Sequence, residues 1–217
     1  MHVSVALDRC IELLTPAIEN SKSPVFVDAT LGLGGHSFAM LTRFPNLTLI
    51  GIDRDQSAID KASERLAQFK ERVHIAHSVF DHFEEIVKGF GFEKIDGALF
   101  DLGVSSMQLD QSERGFSYSK DAPLDMRMDQ SKGITASEIV NSWSHSDLTR
   151  ILRIYGEEKF ASRIADFIIR EREISPINST AKLSELVKAA IPAAARRTGG
   201  NPAKRTFQAL RIAVNNE

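Results

Sequence analysis

Four short apolar runs occupy the first half of the chain, and helical spacing of apolar residues follows each of the first three. Pro24 precedes the first run, while Asp53 and Asp101 directly follow the second and the fourth. Runs of this length are typical of buried strands. The four runs are Val25–Thr30, Leu47–Ile52, Val73–His77 and Ile95–Phe100. A repeated strand–helix order without polar alternation predicts an α/β fold, in which helices cover both faces of a parallel sheet.

The pattern changes after Asp101. Residues 102–132 carry little periodicity, whereas residues 137–191 and 207–215 have apolar positions at helical spacing. We therefore expect a sheet domain at 1–105, an inserted α-helical subdomain at 106–205, and a helix at 206–217 that returns to the first domain. A four-stranded sheet that ends in this way is expected to be incomplete at one edge, which a homodimer would cover.

Composition and charge limit the partners that the chain can have. With 217 residues and 42% hydrophobic residues it can form a substantial core, and its formal net charge of −2 gives no overall attraction for nucleic acid. A nucleic-acid partner would need a local basic patch. One cysteine, Cys10, excludes an internal disulfide and a cysteine-rich zinc site, and we expect no metal. Neither a signal peptide nor a membrane-spanning run is present, which predicts a cytoplasmic protein.

A glycine-rich loop separates the first strand from the helix after it. Gly32, Gly34 and Gly35 permit a tight turn and a close approach of the backbone to a ligand, although Ser37 stands where a dinucleotide motif has its third glycine. Asp53, at the end of the second strand, can accept hydrogen bonds from both hydroxyls of a ribose. Loop and acid together favour an adenosine-containing cofactor over a turn without a ligand. Asp28 either contacts that cofactor or anchors the loop.

Long and compositionally unusual strings along the chain carry a resemblance to a known family. They are His2–Leu7, Ala29–His36, Gly51–Asp55, Phe100–Asp110, Arg114–Tyr118, Pro123–Asp129, Tyr155–Glu158 and Arg205–Asn215. In this order they resemble the ribosomal RNA small-subunit methyltransferase H family over essentially the whole chain, with Ser4 where that family usually has proline. The family is normally longer, so the resemblance implies a chain that lacks the C-terminal part.

This resemblance implies an S-adenosylmethionine-dependent enzyme that methylates the exocyclic N(4) amine of a cytidine in small-subunit (16S) ribosomal RNA. It implies a Rossmann-like class I methyltransferase sheet at 1–105 that binds S-adenosylmethionine, and an inserted substrate-recognition subdomain at 106–205. The residues that it assigns to the cofactor are Gly34, Gly35, His36, Asp53, Phe80, Asp101 and Gln108. Of these, Phe80 would pack on the adenine, and backbone amides at Gly34 and Gly35 would meet the carboxylate of the methionine part.

Three of these assignments have structural alternatives. His36 could cap or pack at the start of its helix. Phe80, as a phenylalanine after a strand, could belong to the core. Gln108 has no support from the residues apart from the resemblance.

Asp101 is the candidate catalytic residue, because it ends the fourth strand at the edge where open parallel sheets bind ligands. The cytosine amine is a poor nucleophile, since its lone pair is shared with the ring. Acceptors that bind the amine hydrogens would localise that lone pair and orient the attack. We expect Asp101 and the carbonyl groups of residues 102–105 to do this.

Two basic segments are candidates for RNA contact. Arg196, Arg197, Lys204 and Arg205 lie in a stretch without acids from Ala189 to Val214, which suits phosphate binding unless it is only a solvated loop. Arg114 is followed by Phe116 and Tyr118, which would either stack on unpaired bases or pack between the insert and the sheet.

Two other functions share part of this pattern. A catalytically impaired, truncated relative would bind the cofactor or the RNA only. An NAD-dependent oxidoreductase would share the loop and Asp53, but it requires a complete third glycine and a catalytic Tyr-Lys, Cys or His that is not clearly placed. Tyr155–Glu158 is interpreted as a structural turn.

Overall fold

The computed structural model describes residues 4–196 and 200–217. Its chain divides into two compact units, with the boundary between Ser105 and Ser106. The boundary coincides with the end of the predicted sheet domain. The further division of the second unit into an insert at 106–205 and a returning helix at 206–217 stays a prediction.

The first unit contains a parallel sheet of four strands in the order β3-β2-β1-β4. The strands are β1 (Val25–Asp28), β2 (Thr48–Asp53), β3 (Val73–His77) and β4 (Gly97–Leu99). This arrangement confirms the predicted α/β fold with a parallel sheet. Strands β1 and β4 are shorter than the apolar runs that predicted them. Strand β1 ends two residues before its run, whereas β4 begins two residues after the start of its run and ends one residue before the end.

Helices cover both faces of this sheet and explain why its strands read as continuous apolar runs. They are α1 (Leu7–Glu19), α2 (Gly35–Arg43), α3 (Gln56–Leu66) and α4 (Phe83–Gly89). One buried cluster contains Phe26 and Leu49 together with Leu41 of α2 and Leu66 of α3. The other contains Val25, Val27, Ile50, Ile52 and Val87. Successive strand residues therefore enter opposite clusters, as the pleat requires.

The strand order creates a switch point beside β1. From β1 the chain proceeds outward to β2 and β3, and then returns to β4 on the other side of β1. Crevices outside the carboxyl ends of such strands are where open α/β sheets bind ligands. The glycine loop leaves β1 at this point.

The second unit is helical, in agreement with the spacing at 137–191 and 207–215. Its helices are α5 (Ser106–Asp110), α6 (Ala136–Ser142), α7 (His145–Ile154), α8 (Ala161–Ile174), α9 (Thr180–Ala190), α10 (Ala193–Arg196) and α11 (Lys204–Asn215). Thr135, Ser144 and Ser179 cap α6, α7 and α9 through their side-chain oxygens. Helix α11 packs on α6 and α7. Part of the segment predicted as loop, 102–132, therefore forms α5 and a short 3-10 turn at Ser112–Arg114.

Within the described ranges, no helix has both the length and the apolar character that a membrane span requires. The same ranges contain no group of three His, Cys, Asp or Glu side chains arranged as metal ligands.

Candidate cofactor site at the glycine loop

Residues 29–32 connect β1 first to β4 and then to β2. The Ala29 amide donates to the Leu99 carbonyl at 2.9 Å, and the Thr30 hydroxyl accepts from the Asp101 amide at 2.7 Å. The Leu31 amide then donates to the Ile52 carbonyl at 2.9 Å. Finally, the Gly32 amide donates to Oδ2 of Asp53 at 2.7 Å. The loop therefore holds both neighbouring strands at their carboxyl ends.

Asp53 and Asp101 occupy equivalent positions on either side of β1. Gly51 and Leu99 both pair with Asp28, and each aspartate lies two residues further along its strand. Two inter-strand spacings separate β2 from β4, which is about 10 Å. The two carboxylates predicted from the sequence are thus brought to the same edge of the sheet, with the glycine loop between them.

Gly32 is the loop residue that leaves room for a ligand. Its φ is +52°, a left-handed conformation that favours glycine, and a Cβ there would meet only the Thr30 carbonyl oxygen, at 3.8 Å. Neighbouring side chains do not fill this space. Gly32 was recognised as a loop glycine in the sequence but was not among the residues assigned to the cofactor.

Gly34 and Gly35 serve close packing within the protein. A Cβ on Gly34 would touch Ala62 and Leu66 of α3 at 3.4–3.5 Å, and one on Gly35 would collide with the Ser4 hydroxyl. The Gly34 amide donates to the Leu31 carbonyl at 2.8 Å. This amide is therefore occupied within the loop. The cofactor contacts that the resemblance assigns to Gly34 and Gly35 stay predictions.

His36 packs at the start of its helix, which is the structural alternative to a cofactor contact. The side chain is buried at the start of α2, and its Nε2 lies 3.0 Å from the Val5 carbonyl oxygen. The ring thereby connects α2 to the segment that precedes α1. Its predicted contact with a cofactor stays a prediction.

Asp28 anchors the loop, which was one of its two interpretations. It is 1% exposed, and its Oδ2 accepts a 2.6 Å hydrogen bond from the Ser37 hydroxyl. Burial raises its pKa to about 6, against smaller opposing effects of Ser37 and His36. At the position of the third glycine of the dinucleotide motif, Ser37 therefore supplies a hydroxyl that binds this carboxyl group.

Asp53 is held by backbone amides on two sides. Besides Gly32 on Oδ2, the Asp55 amide donates to Oδ1 at 2.8 Å. Burial raises the pKa of Asp53, and these two amides oppose the rise. Each carboxylate oxygen retains a second lone pair, so the group can still accept from ribose hydroxyls.

Phe80 lies after β3 in the described structure and is half-buried. Its ring packs against the cluster of Val25 and Ile52 and contacts Phe100 edge-to-face, with 5.9 Å between ring centroids. Phe100 itself is 44% exposed beside Asp101. The structural alternative for Phe80 is thus partly realised, while its packing on adenine stays a prediction.

A model of the MraW methylase family matches residues 1–217, the whole chain. The chain belongs to the MraW methylase family. This finding confirms the resemblance seen in the sequence, and it does not favour an NAD-dependent oxidoreductase.

Three relatives that share one name, Ribosomal RNA small subunit methyltransferase H, support this membership. The chain is 60% identical to Ribosomal RNA small subunit methyltransferase H of Salinispora tropica, with 100% of this chain and 59% of the relative covered. For the proteins of that name from Mycolicibacterium smegmatis and Renibacterium salmoninarum, identity is 59% and 58%, and the covered share of the relative is 59% and 66%. The chain therefore spans about three fifths of the length of these MraW-family relatives.

In the second unit, two predicted site residues are buried. Gln108 of α5 is 5% exposed, and its contact with a cofactor stays a prediction. Arg114 is 3% exposed, and its Nη2 donates to the carbonyl groups of Arg127 and Met128 at 3.0 and 2.9 Å. This placement corrects the expectation that Arg114 contacts RNA, because the guanidinium is used inside the unit.

The aromatic residues near Arg114 also pack inside the second unit. Phe116 is buried, and its ring lies 5.8 Å from the Arg114 guanidinium carbon. The Tyr118 ring contacts Phe207 of α11 edge-to-face, with centroids 5.6 Å apart. Both rings thus contact residues of the second unit, and the stacking of Phe116 and Tyr118 on unpaired bases stays a prediction.

The basic segment 196–205 is described in part. Lys204 and Arg205 are exposed at the start of α11, and Arg205 donates to the Glu157 carbonyl at 2.8 Å. Arg196 is half-exposed in α10, and Arg197 lies outside the described residues. The Tyr155–Glu158 turn is structural, as expected: a Cβ on Gly156 would lie 2.6 Å from the Arg205 carbonyl oxygen.

Proposed function

We propose that this chain binds S-adenosylmethionine at the glycine loop and acts as a methyltransferase on the exocyclic N(4) amine of a cytidine in small-subunit ribosomal RNA. The observation that carries the proposal is the pair of carboxylates, Asp53 and Asp101, held on opposite sides of the loop at the switch point of the sheet. Membership of the MraW methylase family supports it.

The loop fits an adenosyl cofactor in shape and in charge. The open side of Gly32 leaves the backbone accessible, and the remaining lone pairs of Asp53 suit the two hydroxyls of a ribose. About 10 Å between β2 and β4 lets one end of a nucleoside lie at Asp53 while the other points towards Asp101. When bound, the cofactor supplies a methyl group on a positively charged sulfur.

Asp101 is proposed to orient the amine of the target base. Its side chain is exposed at the carboxyl end of β4, where it can accept a hydrogen bond from an amine hydrogen. Accepting that hydrogen bond draws the lone pair out of conjugation and aims it along the line of attack. Carbonyl groups at 102–105 would bind the second hydrogen. The new N–C bond would form as the bond between the methyl carbon and sulfur breaks, and the neutral thioether would leave. The amine would give its surplus proton to Asp101 or to water, and because the positive charge of the cofactor favours transfer, a strong base is not required.

RNA is proposed to reach the chain through the exposed cations of the second unit. Lys204 and Arg205 provide positive charge without an acid between Ala189 and Val214, and Arg196 and Arg197 extend the same segment. Side chains of this kind contact phosphates and set the position of the nucleic acid without reading its sequence. The base itself must be unpaired or flipped to meet Asp101.

The test is methyl transfer from isotope-labelled S-adenosylmethionine to small-subunit ribosomal RNA and to whole 30S subunits, with nucleosides identified by mass spectrometry after digestion. We expect labelled N(4)-methylcytidine, which Asp101→Ala abolishes. If the chain binds the cofactor but the RNA stays unlabelled, the result would favour a catalytically impaired relative that binds the cofactor or the RNA only. A label on another nucleoside would overturn the proposed target, and binding of NAD instead of the methyl donor would overturn the proposed chemistry.

A further inference from the structure

The ladder between β1 and β4 is extended by one side chain beyond the point where backbone pairing ends. The last backbone bond at this end joins the Ala29 amide to the Leu99 carbonyl. The next contact is the 2.7 Å hydrogen bond from the Asp101 amide to Oγ1 of Thr30. A hydroxyl therefore takes the place of a main-chain carbonyl.

The main chain of the loop turns away from β4 at this point. Leu31 already donates to Ile52 of β2, on the other side of β1, and Gly32 donates to Asp53. Thr30 is thus the residue at which the loop passes from β4 to β2. Its side chain reaches back towards β4 while the main chain goes forward.

We propose that Thr30 is a positioning residue for the methyl transfer: its hydroxyl fixes the backbone of Asp101 and so aims the Asp101 carboxylate relative to the cofactor loop. This inference rests on the proposed function, since it takes Asp101 as the residue that orients the amine. Thr30 itself contacts neither the base nor the cofactor in this role.

A substitution that removes only the hydroxyl separates positioning from binding. Valine has nearly the shape of threonine but cannot accept the Asp101 amide. One hydrogen bond contributes about 1 kcal/mol, so we expect about fivefold faster hydrogen exchange at the Asp101 amide in Thr30→Val. The same loss of position should lower kcat about fivefold, while the affinity for the methyl donor changes less than about twofold.

Three further variants complete the experiment. Thr30→Ser keeps the hydroxyl and should restore both the exchange protection and kcat. Thr30→Ala removes the hydroxyl without any possibility of a clash, and replaces the valine variant if that one does not fold. Thr42→Val is the matched control, because the Thr42 hydroxyl donates to the Phe38 carbonyl within its own helix.

Unchanged exchange at the Asp101 amide in Thr30→Val, or a lower donor affinity that accounts for the whole loss of activity, would overturn the proposal. So would a serine variant as impaired as the valine variant. Failure of the proposed function is seen separately, as a wild-type chain that transfers no methyl group. In that case the exchange comparison between Thr30→Val, Thr30→Ser and Thr42→Val still decides whether Thr30 holds Asp101.

Discussion

The Ser37 hydroxyl donates a 2.6 Å hydrogen bond to Oδ2 of Asp28, and both side chains are buried. The contact joins the end of β1 to the first turn of α2, across the glycine loop. A buried carboxyl group without such a donor is costly, since burial removes its solvation. The shape of the loop therefore depends on this pair as well as on its glycines.

Removal of the Ser37 hydroxyl should destabilise the first unit. Ser37→Ala leaves Asp28 without its strongest donor, and we expect a loss of about 1–3 kcal/mol in the free energy of unfolding. Urea denaturation measures this. Ser63→Ala is the control, because the Ser63 hydroxyl donates to the Ile59 carbonyl within α3. Equal stability of the two variants would show that the buried pair contributes nothing of its own.

Asp28 should make stability depend on pH in an unusual direction. Burial raises its pKa from 3.8 to about 6, so between these values the folded chain keeps a proton that the unfolded chain releases. The stabilising contribution is therefore complete below about pH 4 and is lost as the pH rises through about 6, by about 3 kcal/mol in total. Asp28→Asn cannot ionise and should lack this component.

The difference in unfolding free energy between wild type and Asp28→Asn, measured from pH 4 to 7.5, isolates the effect from other titrating groups. We expect the wild type to lose stability relative to the variant across this range. A constant difference would mean that the folded-state pKa of Asp28 is not raised.

Asp53 should be needed for the binding of S-adenosylmethionine rather than for the stability of the sheet. Asp53→Asn removes the charge and one of the two oxygens that bind Gly32 and Asp55, and we expect at least about tenfold weaker binding of S-adenosylmethionine. Asp96→Asn is the matched control, because Asp96 accepts the Val25 amide at the opposite end of β1. Calorimetry on both variants should find a large difference in affinity. Similar losses would point to a general weakening of the fold.

Lys204 should contribute to RNA affinity through phosphate contact. Lys204→Ala should lower the slope of log affinity against log salt by about one, the effect of one lost phosphate contact on RNA. Lys88→Ala removes an equally exposed cation from α4, where it pairs with Glu84, and should leave the slope unchanged. Filter binding over a series of salt concentrations measures both. If both variants change the slope equally, the effect is one of net charge alone.

The sequence predicts the sheet well because burial on two faces leaves a strong local pattern. Strands β1 to β4 lie within or next to the four apolar runs, and Asp53 and Asp101 follow from their positions at the strand ends. The role of Thr30 could not be predicted, since it depends on a contact with Asp101, 71 residues further along the chain. The sequence left open whether Asp28 anchors the loop, and the folded loop identifies Ser37 as the partner that it binds. A polar residue in place of an expected glycine was the only signal for Ser37.

Arg114 shows the opposite error. An arginine beside two aromatic residues has the composition of a nucleic-acid contact, but its guanidinium donates to two carbonyl groups inside the helical unit. The composition of a segment does not distinguish an arginine that binds a partner from one that donates hydrogen bonds to buried backbone carbonyl groups. Short helices such as α5 were missed because five residues are too few to display a period.

The most direct test of the account is calorimetric titration of S-adenosylmethionine into wild type, Gly32→Ala and Gly91→Ala. Both glycines have positive φ and room for a Cβ, so each substitution places a side chain on a backbone conformation that favours glycine, but of the two only Gly32 lies at the proposed cofactor site. We predict that wild type and Gly91→Ala bind the donor with similar affinity, and that Gly32→Ala binds it at least about tenfold more weakly. Equal affinity of all three chains, or no heat of binding in the wild type, would contradict a cofactor site at the glycine loop.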